Sequence, residues 1–121
     1  LMHTGDELPT VSPNTPLNKA LYEMTNKRLG MTTIVDEEHK LLGIFTDGDL
    51  RRLLDHEQQL SLDVPVSEVM TKSPFTINAN ARAVSALDSL KEKKINQFVV
   101  IDDQDKVVGV ISMHDLISAG V

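Results

Sequence analysis

Apolar residues recur along this chain with two different periods. Leu17, Ala20, Leu21 and Met24 fall at i, i+3, i+4 and i+7, the stripe a half-buried helix turns toward a core, and Ala83, Ala86, Leu87 and Leu90 repeat it. Paired apolar runs follow each stripe: Thr32 to Asp36 with Leu41 to Thr46, and Phe98 to Asp102 with Val107 to Ser112. Each pair is separated by four mostly polar residues and predicts a hairpin with apolar side chains on both faces. Thr10 and Val11, and likewise Thr76 and Ile77, predict short extended pieces ahead of the helices. Leu50, Leu53 and Leu54, then Leu116 and Ile117, predict a second helix in each unit. The order strand, helix, strand, strand, helix therefore occurs twice. The fold class expected is α/β (α+β): two β-α-β-β-α repeats packed with pseudo-two-fold symmetry.

Helix boundaries carry their own signals. Thr15 suits an N-cap with Pro16 at the first helical position, where a missing N–H costs nothing. Gly30 and Asn96 follow the two stripes, and these residue types best tolerate the left-handed conformation that ends a helix. Asp55 to Val66 is polar, ends in Pro65 and reads as a linker, with a helical turn at Ser67 to Met70. The division expected is residues 1–60 for the first repeat with its lead-in and residues 61–121 for linker and second repeat.

The two halves align without a gap, Val11 to Asp55 on Ile77 to Val121, at an offset of 66. GIFTDGDL at Gly43 to Leu50 meets GVISMHDL at Gly109 to Leu116. Asp36 meets Asp102, and Lys40 meets Lys106. Only nine of the 45 aligned positions are identical while apolar positions match nearly throughout, the pattern of a duplicated supersecondary unit whose packing is kept and whose surface has drifted. Two units of about 60 residues would each be marginal alone, so the repeats are expected to pack together.

Composition narrows the functional classes. Net charge is -6, with one Tyr, three Phe and no Trp, which argues against a nucleic-acid surface built from basic stripes and stacking platforms. With no cysteine there is neither a disulfide framework nor thiol chemistry. No apolar run reaches the roughly 18 residues of a membrane span, and His3, Asp6 and Glu7 stand where a signal peptide would be basic and apolar. A cytoplasmic protein with no membrane partner is the expectation. Beginning on Leu1 in mid-segment, the chain also reads as a piece of something longer.

No catalytic constellation emerges. His3, His39, His56 and His114 lack metal-ligand spacing, and no Ser or Thr has a nucleophile-elbow context. Asp47-Gly48-Asp49 opens like a calcium loop, but Arg52 and Gln58 occupy the positions that need Gly and Glu. What remains is Thr46-x-x-Asp49 and Ser112-x-x-Asp115, each where a strand gives way to a helix. A carboxylate there can accept from ribose 2'- and 3'-hydroxyls while helix-start amides attract phosphate. The same spacing is also a capping box that satisfies first-turn amides with no ligand. Lys27, Arg28, Lys93 and Lys94 precede the hairpins, where cations offset the helix dipole. Arg51 and Arg52 lie early in a helix, where that explanation fails and either a solvated face or an anion site accounts for them.

This order of elements with paired Thr/Ser-x-x-Asp endings resembles a tandem pair of CBS domains over nearly the whole chain. The resemblance implies a nucleotide sensor with Asp49 and Asp115 on ribose and Thr46 and Ser112 beside them. It also implies clefts between the repeats lined by Gly30, Met31 and Thr32, and by Asn96, Gln97 and Phe98, with His114 inside the second motif. Many members carry His-Arg where this chain has Asn96-Gln97, which weighs against an adenine polyphosphate. MHTGDELP at Met2 to Pro9, LGMTTIVDEEHKLLGIFTDGDLRR at Leu29 to Arg52 and the ending MHDLISAGV are similar, more specifically, to the C-terminal half of bacterial D-arabinose 5-phosphate isomerases. That likeness implies a regulatory module of an enzyme of Kdo biosynthesis, without its N-terminal sugar isomerase domain and not itself an enzyme. The implied effector is a nucleotide sugar such as CMP-Kdo, with Arg51 and Arg52 on its acid groups, and the implied partner is the chain itself, as a dimer or as a tetramer in the full enzyme. Two further classes stay open: an assembly module whose motifs are only helix caps, and an adenine-nucleotide sensor.

Overall fold

The computed structural model describes residues 8–27, 30–56, 61–72, 74–80, 88 and 97–112. Two compact units divide the chain, Pro9–Ser73 on one side and Pro74–Val121 with Leu1–Leu8 on the other. The first holds β1 (Thr10–Val11), α1 (Leu17–Lys27), β2 (Met31–Val35), β3 (Leu41–Thr46), α2 (Asp47–His56), a 3-10 turn (Val66–Glu68) and β4 (Thr71–Lys72). Its sheet runs β1-β2-β3-β4, with β1 parallel to β2 and the other pairs antiparallel. Parallel neighbours need a crossover, and α1 supplies it. In the second unit β5 (Thr76–Asn78), β6 (Gln97–Ile101) and β7 (Val107–Ser112) form a sheet of the same order, β5 parallel to β6 and β6 antiparallel to β7.

The helical stripe does what its spacing predicts. Leu17, Ala20 and Met24 are buried with Ile34, Phe45 and Val66, while Val11, Leu21, Leu50 and Leu53 pack around them. Burying a side chain the size of Phe45 removes enough apolar surface from water to contribute about 2–3 kcal/mol. In the second unit Phe98, Val99, Val100, Val107 and Val110 are buried on β6 and β7.

The start of α1 differs from its sequence reading. Helical residues begin at Leu17, and the Thr15 hydroxyl lies 2.9 Å from that of Ser12 instead of capping the helix. The orphan amides of Leu17 and Asn18 donate instead to the carbonyls of Val64 and Leu62, at 2.8 and 2.9 Å. In return, the amides of Val66 and Ser67 donate to the carbonyls of Thr15 and Pro13. The end of the stretch read as a linker, Asp55 to Val66, is therefore laced to the first unit together with Ser67, and Val66 is fully buried in its core. Two prolines, Pro16 and Pro65, face each other in a bridge where neither has an amide to offer.

The two hairpin turns are copies. In each, an aspartate carboxylate accepts two amides: Asp36 Oδ1 from Glu38 and Lys40, and Asp102 Oδ1 from Gln104 and Lys106. Each turn then places one residue in the left-handed region, His39 at φ 68° and Asp105 at φ 64°. A bulge follows at the same place in both hairpins, beside Ile34/Val35 and Val100/Ile101. The repeated Asp and Lys positions are thus explained by backbone geometry, in which a short carboxylate closes the turn. Those amides, Lys106's first, and then the Lys106 ammonium hold the Asp102 carboxyl below its ordinary 3.8. A carboxyl lowered in the folded state adds stability above its unfolded pKa and loses it as pH falls through the folded one. Asp102→Ala should therefore destabilise the protein at neutral pH, with the difference from wild type closing below about pH 5, as urea titrations at a series of pH values will measure.

Gly43 is required for a different reason. A β-carbon there would stand 2.7 Å from the Thr71 carbonyl oxygen and 2.7 Å from Met70 Sδ, because the chain entering β4, which pairs with β3 here, lies against this position. Gly43→Ala is expected to lower stability by about 1–3 kcal/mol through overpacking and to loosen β4, seen in urea unfolding and in faster amide exchange at Thr71 and Lys72.

Candidate functional site

The junction between β3 and α2 is the most heavily bonded polar position among the described residues. Strand β3 ends at Thr46 and α2 starts at Asp47, so Thr46 is the N-cap and Asp49 the third helical residue. The capping box is closed in both directions: the Asp49 amide donates to Thr46 Oγ1 at 3.1 Å, and the Thr46 amide donates to Asp49 Oδ2 at 2.9 Å. The other carboxylate oxygen, Oδ1, accepts from Thr71 Oγ1 at 2.9 Å and from the Arg52 guanidinium one turn along the helix. Asp49 is 8% exposed, whereas the Arg52 side chain is 66% exposed. A buried carboxylate is tolerable only when its charge and lone pairs are met, and here both are.

Neighbouring groups come from the start of β2. Met31 pairs with Thr46 across the sheet, and the Asp47 amide donates to the Gly30 carbonyl at 3.0 Å. Gly30 has φ 69°, the left-handed conformation expected after the α1 stripe. Met31 and Thr32 are buried. A cavity of about 440 Å³ opens beside the junction, lined by Leu21, Met24, Thr25, Gly30, Asp47 and Leu50. Its size is in the range that takes a small organic ligand, and Leu21, Met24 and Leu50 make part of its lining apolar. A second hollow, of about 480 Å³, lies where Thr10 and Val11 run into Ser12 and Pro13 opposite Asp36 and Glu37, and none of the candidate ligand-binding residues lines it.

Of the sequence candidates, Gly30, Met31, Thr46, Asp49 and Arg52 come together at this junction. Thr32 is one residue further along β2, in register with Phe45. Arg51 is exposed and makes no ion pair among the described residues. In the second unit Gln97 pairs with Ser112 in the register that Met31 and Thr46 show in the first, and Phe98 is buried beside them. Asn96, His114 and Asp115 lie outside the described residues. Thr71 was not singled out from sequence. It reaches Asp49 from 22 residues away on a two-residue strand, and no local pattern announces such a partner. Among the described residues there is no cluster of three or more His, Cys, Asp or Glu suited to a metal, and no helix is long and apolar enough to cross a membrane.

The profile of the CBS domain family matches residues 1–56 and again residues 66–121. Arabinose 5-phosphate isomerase KdsD of Pseudomonas aeruginosa is 48% identical over 121 residues, all of this chain and 37% of the relative. KdsD of Escherichia coli K12 is 43% identical over 124 aligned residues, again all of this chain and 36% of the relative. The chain thus spans little more than a third of the length of these curated relatives. Among solved structures, CBSX2 in complex with AMP superposes with a TM-score of 0.85 at 25% identity, covering 98% of this chain and 91% of that one. The CBS domain pair of MJ0100, in complex with 5'-methylthioadenosine and S-adenosyl-L-methionine, gives 0.83 at 22% identity over 98% and 91% of the two chains, a likeness of fold.

The Asp49 contacts have measurable stability. Thr46→Val, which removes the cap acceptor at constant shape, should cost about 1 kcal/mol and speed amide exchange at Asp49. Thr71→Val removes a hydrogen bond to a buried charge and should cost about 1.5–3 kcal/mol in the same urea titration.

Proposed function

Since this chain belongs to the CBS domain family, twice over, we propose that it is the ligand-sensing regulatory pair of an arabinose 5-phosphate isomerase, binding a nucleotide at its Thr/Ser-x-x-Asp junctions. The carrying observation is Asp49, a buried carboxylate at a strand-to-helix junction whose chain neighbours Asp47 and Leu50 line a ligand-sized cavity. A carboxylate so placed can accept from the hydroxyls of a ribose while the amides of the helix start face a phosphate. The AMP and S-adenosyl-L-methionine named with two structural neighbours support a ribose-bearing ligand. Asp115 with Ser112 is the corresponding pair of the second repeat by alignment, and the family resemblance adds Asn96, Gln97, Phe98 and His114 as its candidate partners.

The identity to KdsD along the whole chain supports placing this module in a protein that interconverts arabinose 5-phosphate and ribulose 5-phosphate, with the chemistry on a separate domain. An enzyme at the entry to a dedicated pathway is a sensible target for feedback. CMP-Kdo, the activated end product, carries a ribose for Asp49 and acidic groups for Arg51 and Arg52. We favour it as the effector. A second reading has its own observation: the capping box is complete, with each partner of Asp49 supplied by the chain. In that reading the pair assembles isomerase subunits, as dimer or tetramer, and senses nothing.

Calorimetric titration with CMP-Kdo, CMP and AMP separates these readings. We expect roughly micromolar binding of CMP-Kdo, well ahead of CMP and AMP, with an upward melting shift equivalent to about 2.7 kcal/mol at a hundredfold excess over Kd. Preference for AMP would make the module an adenine sensor. Silence from all three, with an unmoved melting temperature, would sink the sensor in favour of assembly.

A further inference from the structure

We propose that Arg52 occupies the ligand's place at Asp49, and that its release makes the site select anionic nucleotides over neutral nucleosides. This rests on the reading of Asp49 as the ribose carboxylate. The partners of Asp49 differ in how readily they can leave. The Thr46 amide is backbone at the end of β3, and Thr71 is fixed by the pairing of β4 with Ile44 and Gly43. Arg52, by contrast, reaches Oδ1 on a long and largely exposed side chain, its guanidinium folded back over Gly48 at about the distance of ordinary contact with a β-carbon built there. It shares Oδ1 with Thr71. A ribose hydroxyl that donates to Oδ1 therefore displaces Arg52 in preference to the other partners.

That exchange replaces a cationic donor with a neutral one. The buried carboxylate keeps its hydrogen bond but loses its counter-charge, which is costly unless the guanidinium stays near. A ligand bearing an anion within an arginine's length of its own diol meets both needs, one hydroxyl of the diol taking Arg52's place on Oδ1 and the phosphate or carboxylate taking the freed guanidinium in a charge-assisted pair. Exposed Arg51 lends a second positive charge to the same helix turn. A nucleoside supplies the diol alone and must compete with Arg52 without recompense. Arg52 is in this sense a specificity-determining residue.

The test is titration of the full chain, wild type and Arg52→Gln, with CMP-Kdo and AMP against cytidine and adenosine. Because Arg52 is largely exposed, the variant should keep its fold, checked by its melting curve. The nucleosides should bind the variant about two- to fivefold more tightly than wild type, the scale of a solvent-exposed ion pair. The preference for nucleotide over nucleoside should fall by about tenfold. If wild type binds a nucleotide but the preference is unchanged in the variant, or nucleosides bind it no better, the role given to Arg52 is wrong and the nucleotide reading stands. If neither folded protein binds any of the four, both fall together.

Discussion

The Asp49 carboxylate is the point at which the first unit is tied. Its two oxygens reach the end of β3, the second turn of α2 and the last strand, β4. Without it, three separate problems would reopen. The Thr46 amide would be orphaned at a strand-to-helix turn, Thr71 would lose the bond that pins a strand of two residues, and Arg52 would lie in the second turn of a helix whose N-terminus disfavours cations. One buried charge resolves all three. A carboxylate is needed because an amide would offer only one acceptor oxygen to three donors that arrive from different directions.

Such a group explains why the helix-cap and ligand readings of Thr-x-x-Asp are hard to tell apart. Both require an acceptor aimed at the same first turn. The geometry separates the two oxygens: Oδ2 is committed to the Thr46 amide, and Oδ1 carries side chains only. A cap needs only Oδ2. The extra donors on Oδ1 leave the cap untouched, so the proposed exchange of Arg52 for a ligand would not compete with folding of the helix start.

Much of this was legible from residue patterns, and the exceptions share a cause. The stripe of Leu17, Ala20 and Met24, the hairpin limits and the turn after α1 at Gly30 follow from local periodicity and backbone conformation, and the structure places them within a residue or two. The identities between halves also have local meaning. Asp36 and Asp102 close turns through amides two and four residues on, and Lys40 and Lys106 supply one of those amides. What could not be read was the docking of residues 61–72. Their bonds to the start of α1 are backbone to backbone, so side-chain identity hardly constrains them, and β4 is too short to show alternation. Thr71 on Asp49 was hidden for the same reason. The one trace of this contact in the sequence is Gly43, whose missing side chain makes room for Met70 and Thr71, and a glycine in a strand does not say what crosses it.

Charge adds a final constraint on what the junction can recognise. The chain carries a net charge of -6, and its hairpin turns are acidic, with Asp36, Glu37 and Glu38 in one and Asp102, Asp103 and Asp105 in the other. An anionic ligand approaches such a surface against a repulsive field, so binding requires local cations that outweigh the rest at short range. Arg51 and Arg52 are exposed cations on the same helix as Asp49. Arg52 is engaged by the buried carboxylate, which leaves its charge partly neutralised toward an approaching anion. In the exchange proposed for Arg52, the positive field would be strongest only after a sugar hydroxyl had replaced it on Asp49. A site working that way would read the diol first and the anion second, and neither an inorganic anion nor a neutral sugar would meet both conditions.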